Sequence, residues 1–177
     1  DGSFAQFTTV QSRQLLKKPQ HLSWEESGCY TLTLATAFRM LFGHPPHALK
    51  PGMNVLVWGA SGGIGSMDVQ ICKAVGANAI GIISDDDKIP FVKNLGAVGV
   101  LNRKNYDCFG QLPDVKDPNG YSDFIKKCRV LGKDIWEITG KKDVDIVFEH
   151  PGESTFPVST YLVKTGGMVV ICAGTSG

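Results

Sequence analysis

A glycine-rich turn set between two short apolar runs constrains this chain more than any other feature. Asn54-Val55-Leu56-Val57-Trp58 is a continuous apolar run bounded by glycine, the pattern of a strand buried on both faces. Gly59-Ala60-Ser61-Gly62-Gly63-Ile64-Gly65 follows, then a helical stretch over 66–75 closed by Gly76, then a second buried run over 79–83. Strand, glycine turn, helix and strand within about 30 residues form the unit that binds dinucleotides. In that unit the first position of the fingerprint, here Ala60 in place of glycine, makes the tight turn out of the strand. Gly62 lets backbone approach a pyrophosphate, and Gly65 lets helix and strand pack closely. The helix start then offers free N–H groups and its dipole to phosphate.

The remaining chain alternates the same two kinds of element. Residues 3–10 alternate apolar and polar and predict a strand, ended by Lys17-Lys18-Pro19. Ser23-Trp24-Glu25-Glu26 supplies an N-cap and first-turn acids for a helix running to about Leu41. A helix is expected over 88–95 and a strand over 98–101. An irregular segment over 103–119 precedes a long helix over 121–138, broken near Gly132. A strand over 144–148, a helix over 155–163 and a last strand over 168–172 complete the order. Strands alternating with helices imply parallel pairing and right-handed crossovers. The expected fold is a doubly wound parallel α/β sheet of the Rossmann kind.

Composition narrows the function classes. The chain has 177 residues and a net charge of +1, with no basic run or stripe of the sort that nucleic acids attract. Its longest apolar run is far short of the roughly 20 residues a membrane span needs. Five scattered cysteines without a Cys-x-x-Cys read as buried small hydrophobes in a reducing, cytoplasmic setting. His44 and His47 sit among Pro45 and Pro46 with no acidic or thiol ligand adjacent, so no metal site is expected. Both ends read as internal to a longer protein, which makes the chain a domain fragment.

Cofactor choice turns on the end of the second strand, where NAD binders place an acid that accepts from the ribose 2′-hydroxyl. Here the position falls at Ile83 or Ser84, neither of them acidic. Ser84 can bond a 2′-phosphate, and Lys88 and Arg103 at the ends of neighbouring elements can supply charge. Asp85, Asp86 and Asp87 would repel that phosphate if they faced it, and are read as a solvated loop opening a helix. The balance favours NADP over NAD.

Several longer stretches carry a closer match. Residues 2–7, 32–44, 54–63, 145–153 and 166–174 resemble the medium-chain dehydrogenase/reductase superfamily, and within it the crotonyl-CoA carboxylase/reductase group. So does the insert Asp107-Cys108-Phe109-Gly110-Gln111-Leu112-Pro113, which plain quinone reductases and alcohol dehydrogenases lack. The resemblance implies NADPH-dependent reduction of an α,β-unsaturated acyl-CoA, with hydride going to the β-carbon. The enolate left behind attacks CO2 in carboxylating members and is protonated in others. It further implies a homo-oligomer, with residues 1–24 a remnant strand and linker of a GroES-like catalytic domain and 25–177 the NADP-binding domain. By position Ala60, Ser61, Gly62, Gly63, Ile64 and Gly65 would hold the pyrophosphate, and Ser84, Lys88 and Arg103 the adenosine end. Thr36 resembles the threonine such reductases place near the nicotinamide. His150, Pro151 and Gly174 fall at strand ends, where open α/β sheets bind ligands.

The residues leave alternatives open. Glu149 and His150 can be read as a catalytic pair or as the cap of a strand end beside the cofactor, and the second reading is preferred. Catalytic residues are expected outside this stretch. A quinone reductase or zinc-free alcohol dehydrogenase relative, or a cofactor-binding protein without activity, would share the same fold.

Overall fold

A computed structural model describes residues 2–114 and 116–175. Five strands form one sheet: β1 (Asn54–Trp58), β2 (Asn78–Ile83), β3 (Gly99–Asn102), β4 (Val144–Glu149) and β5 (Val163–Ile171). Their order is β3-β2-β1-β4-β5 and every pairing is parallel. All five residues of β1 are buried, which is why its sequence reads as an unbroken apolar run. Alternation sends Val55 and Val57 to one core, and Leu56 and Trp58 to the other. The first core takes residues from α1 (Trp24–Phe42), α2 (Gly63–Val75) and α3 (Ile89–Leu95). The second is filled from α4 (Pro118–Thr139) and α5 (Phe156–Leu162). Helices therefore cover both faces, as the alternating elements predict.

The chain divides inside α1 into two compact units, one ending at Thr31 and the other beginning at Leu32. In the first unit Ser23 and Glu26 form a reciprocal capping box. The Glu26 backbone N–H donates to Ser23 Oγ at 3.1 Å, and the Ser23 N–H to Glu26 Oε2 at 2.8 Å. Lys18 Nζ donates to the Pro19 carbonyl at 3.0 Å and lies 5.4 Å from the Trp24 ring. The strand expected over 3–10 does not form: Phe4, Phe7 and Val10 are exposed, and among the described residues no strand pairs with that segment. Alternating residues make a strand only when a second backbone satisfies their N–H and C=O groups.

In the second unit three boundaries differ from the sequence expectation, each for a packing reason. Helix α4 starts at Pro118, where the Asp117 side chain accepts from the Gly120 N–H at 3.0 Å, and it runs unbroken through Gly132. A mid-helix glycine costs only about 1 kcal/mol, and burial of Phe124, Cys128, Leu131 and Ile135 on the same helix outweighs it. A Cβ at Gly132 would sit 3.5 Å from Leu162, an ordinary contact with α5. Strand β5 begins at Val163 rather than Met168, through a register shift against β4 between Val144 and Ile146. Helix α2 begins at Gly63, three residues before the expected start, so the glycine turn is itself the first turn of the helix.

The strand order reverses between β1 and β4, whose chains continue to opposite sides. A crevice opens at that switch point beyond their carboxyl ends.

Candidate functional site at the sheet switch point

The crevice is a cavity of about 180 Å3 lined by Thr33, Trp58, Gly59, Gly62, Gly63, Ile64, Gly65, Phe148 and His150. Its floor is the glycine turn, and the tasks of the turn are distributed differently from the fingerprint. Gly59, not Ala60, carries the left-handed conformation, with φ +62°. Ala60 instead continues the β1–β2 ladder, donating its N–H to the Ile82 carbonyl at 3.1 Å, and is fully buried. Its methyl group fits because Gly81 of β2 leaves room for it: a Cβ there would meet the Ala60 methyl at 2.9 Å. Gly65 has the closest approach, since a Cβ would lie 2.4 Å from the Gly59 carbonyl oxygen. A Cβ at Gly62 would lie 3.2 Å from that same oxygen, and one at Gly63 would lie 3.1 Å from Thr33. Among the described residues no side chain caps α2, so the N–H groups of Gly63, Ile64 and Gly65, which line the crevice, have no helical acceptor. That arrangement suits a phosphate.

Glu149 and His150 are adjacent in sequence but have different surroundings. Glu149 is fully buried and accepts from the Gly152 N–H at 3.1 Å, from Thr155 Oγ1 at 2.6 Å and from Ser159 Oγ. Ser159 Oγ in turn accepts from the Trp58 indole N–H at 2.9 Å. This network ties the loop after β4 to α5 and to the end of β1, and it engages both oxygens of Glu149. His150 faces the crevice, with Nδ1 3.5 Å from Cys172 Sγ. Among the described residues, the hydrogen-bond partners recorded for Glu149 do not include His150.

The other expected positions fall around this centre. Thr36 lies on α1 in a neighbouring cleft of about 600 Å3 with Arg39, His44 and Cys172, and its hydroxyl donates to the Leu32 carbonyl at 2.8 Å. Thr33, one turn earlier and not singled out from the sequence, lines the glycine crevice instead. Helical spacing of 3 brings both threonines to one face, so the sequence could have flagged either. Gly174 lines a separate open cleft with Gly152, Glu153 and Cys172. Pro151 sits in the half-buried turn between His150 and Gly152. Ser61 is half-buried at the edge of the turn.

At the far end of β2, Ser84 and Lys88 come together, the Lys88 ammonium donating to Ser84 Oγ at 3.0 Å. Arg103 is exposed in the short turn after β3. The acidic run is not simply a solvated loop. Asp85 accepts from Lys104 and lies 3.8 Å from Lys88, and Asp86 accepts from the Asn102 side chain at 2.8 Å. The hydrogen bond from Lys104 holds the Asp85 carboxyl below its ordinary range, with both lysine charges adding to the effect. Lys104 was missed in the sequence because only the fold brings the turn after β3 alongside the end of β2.

One buried acid has no role in this network. Asp68 on α2 is fully buried, and neither of its oxygens has a partner among the described residues. Burial pushes its carboxyl up to about 8. Desolvation first, and then the Asp68 charge, push the Cys72 thiol up to about 12 and also raise that of Cys172.

Comparison with known proteins places these features. The family described as zinc-binding dehydrogenase matches residues 63–177. Over its whole length the chain is 66% identical to the crotonyl-CoA carboxylase/reductase of Cereibacter sphaeroides, and it spans 41% of that protein. A solved structure of a crotonyl-CoA carboxylase/reductase superposes with a TM-score of 0.97 at 65% identity, covering 100% of this chain and 41% of the other. A 2-octenoyl-CoA carboxylase reductase in complex with NADP and 2-octenoyl-CoA superposes at 0.81 with 38% identity, covering 95% of this chain and 36% of the other. The zinc of the family description finds no donor set in this stretch: among the described residues no three His, Cys, Asp or Glu side chains converge. Among them, too, no helix is long and apolar enough to cross a membrane. With a switch-point crevice, a glycine cradle that a Cβ would fill and a family match over most of its length, the chain belongs to the zinc-binding dehydrogenase family, in the medium-chain dehydrogenase/reductase superfamily.

Proposed function

We propose that this chain is the NADPH-binding part of an enoyl-CoA carboxylase/reductase acting on crotonyl-CoA or a near homologue. The observation that carries the reading is the cradle at the sheet switch point. Gly62, Gly63 and Gly65 keep the start of α2 open to a pyrophosphate, and Thr33 and His150 stand over the same cavity. When bound there, the dinucleotide supplies hydride to the β-carbon of the unsaturated thioester. This chain's own residues hold and orient. Ala60, Ser61 and Ile64 shape the turn, while Ser84, Lys88 and Arg103 receive the adenosine end, joined by Lys104. Thr36, His150, Pro151 and Gly174 border the route toward the nicotinamide.

Support for the cofactor and substrate class comes from the 2-octenoyl-CoA carboxylase reductase, whose complex holds NADP and an enoyl-CoA. Support for CO2 as co-substrate comes from the 66% identical carboxylase/reductase. We assign residues 1–24 to the remnant of a GroES-like catalytic domain with its linker, and infer a cytoplasmic homo-oligomer. The five unpaired cysteines fit a reducing compartment.

The test is calorimetric titration of the full-length protein with NADPH and NADH, beside turnover of crotonyl-CoA with and without bicarbonate. We expect NADPH to bind at least tenfold more tightly than NADH, an energy difference of about 1.4 kcal/mol. Ser84→Asp should erase that preference by setting a second carboxylate against the 2′-phosphate. Equal binding of the two cofactors, or a preference surviving in the variant, would refute the assignment of the adenosine end. Reduction without bicarbonate-dependent carboxylation would leave a plain reductase.

A further inference from the structure

The lysines at the ends of β2 and β3 already hold an anion, and it belongs to the protein. Asp85 Oδ1 accepts from Lys104, and Asp85 Oδ2 lies 3.8 Å from Lys88. Lys88 also donates to Ser84 Oγ at 3.0 Å, and that hydroxyl lies 3.4 Å from Asp85 Oδ2. Two ammonium groups and a hydroxyl thus converge on one carboxylate. We propose that Asp85 is a placeholder for the 2′-phosphate, occupying Lys88 and Lys104 in the free protein and yielding them only to a dianion. The proposal rests on the reading of this strand end as the adenosine side of an NADPH site, and it adds a residue that sets the margin between NADPH and NADH.

The pairs around Asp85 are open ones. Its side chain is 48% exposed, and those of Lys88 and Lys104 are 39% and 62% exposed. Such ion pairs are weak and readily exchanged in water. A phosphate monoester brings up to two charges and three acceptor oxygens against the single charge of a carboxylate. It therefore displaces Asp85 from the lysines, and the carboxylate has solvent to swing into. The neutral 2′-hydroxyl of NADH offers the lysines nothing that would replace the carboxylate. Asp86 cannot take the same part, because the Asn102 side chain holds it at 2.8 Å. Asn102 also accepts from the Lys104 backbone N–H at 3.0 Å, which fixes where Lys104 starts.

The experiment titrates the full-length protein and its Asp85→Asn and Asp85→Ala variants with NADPH, NADH and adenosine 2′-phosphate. With the competing carboxylate gone, NADPH and adenosine 2′-phosphate should each bind about fivefold more tightly, the scale of an exposed ion pair. NADH should stay within about twofold of the parent, since no displacement is needed. Weaker or unchanged NADPH binding in both variants would overturn the proposal, because Asp85 would then be organising the lysines rather than competing for them. A drop in NADH affinity would also overturn it, marking Asp85 as a ribose acceptor. The cofactor reading is tested separately by the parent protein: if it does not prefer NADPH, that reading fails whatever the variants do.

Discussion

Gly65 shows how much of a binding site can depend on the absence of one carbon. A Cβ there would fall 2.4 Å from the Gly59 carbonyl oxygen and 2.9 Å from the Ala60 Cα, both backbone atoms that cannot rotate away. Gly65→Ala should cost about 1–3 kcal/mol of stability through overpacking. It should also push α2 off the end of β1, so that NADPH affinity falls more than stability alone explains. Thermal melting beside titration checks both, and wild-type affinity in the variant would refute the cradle. Asp68 is the opposite case, a group whose presence is costly. Its carboxyl is raised to about 8 from 3.8, so the folded state keeps a proton that the unfolded chain has released. For such a group the contribution to stability is full below pH 3.8 and is lost as pH climbs from there to about 8. Asp68→Ala should therefore raise the melting temperature at pH 8 by clearly more than at pH 4. Equal gains at the two pH values would show that Asp68 does not titrate across that window.

At the scale of elements, the loop after β4 is held by a buried carboxylate as well as by its own backbone, where Thr155 and Phe156 N–H both donate to the Gly152 carbonyl. Glu149 collects Gly152, Thr155 and Ser159, and Ser159 relays to the indole of Trp58. Removing Ser159 Oγ leaves a buried carboxylate oxygen and an indole N–H without that partner, a loss of about 1–3 kcal/mol. Ser159→Ala should lower stability by that amount and shift the Trp58 emission, with NADPH affinity falling because His150 follows Glu149 in the chain. Unchanged stability would mean that water replaces the hydroxyl at no cost. Glycine also acts between elements here: Gly81 on β2 leaves room for the Ala60 methyl, which is how the turn accommodates alanine at the first fingerprint position.

For the whole molecule, the relevant fact is that the chain spans 41% of the length of its carboxylase/reductase relative. Among the described residues β5 pairs only with β4, and Phe4, Phe7, Leu16, Leu32 and Phe38 are more than half exposed. Apolar surface of that kind drives association when nothing covers it. Produced alone, residues 1–177 should self-associate at micromolar concentration and bind a hydrophobic dye, whereas the full-length protein should give a discrete oligomer by light scattering. A monodisperse, dye-silent fragment would show that these residues need no cover.

The alternating order of strands and helices, the all-buried β1 and the glycine turn were legible in the sequence, because periodicity and glycine spacing are local properties of the chain. So was the family, through stretches that span nearly its whole length. What the tertiary structure decided depends on residues distant in sequence. It placed the left-handed turn at Gly59, set Lys104 beside Asp85 across 19 positions, and gave Glu149 and His150 separate surroundings at the end of β4. It also withheld a strand from residues 3–10, whose alternating pattern had no second backbone to pair with. Local pattern fixes which elements a chain prefers, while hydrogen-bond partners and charge neighbours are assigned only when the sheet brings its strand ends together.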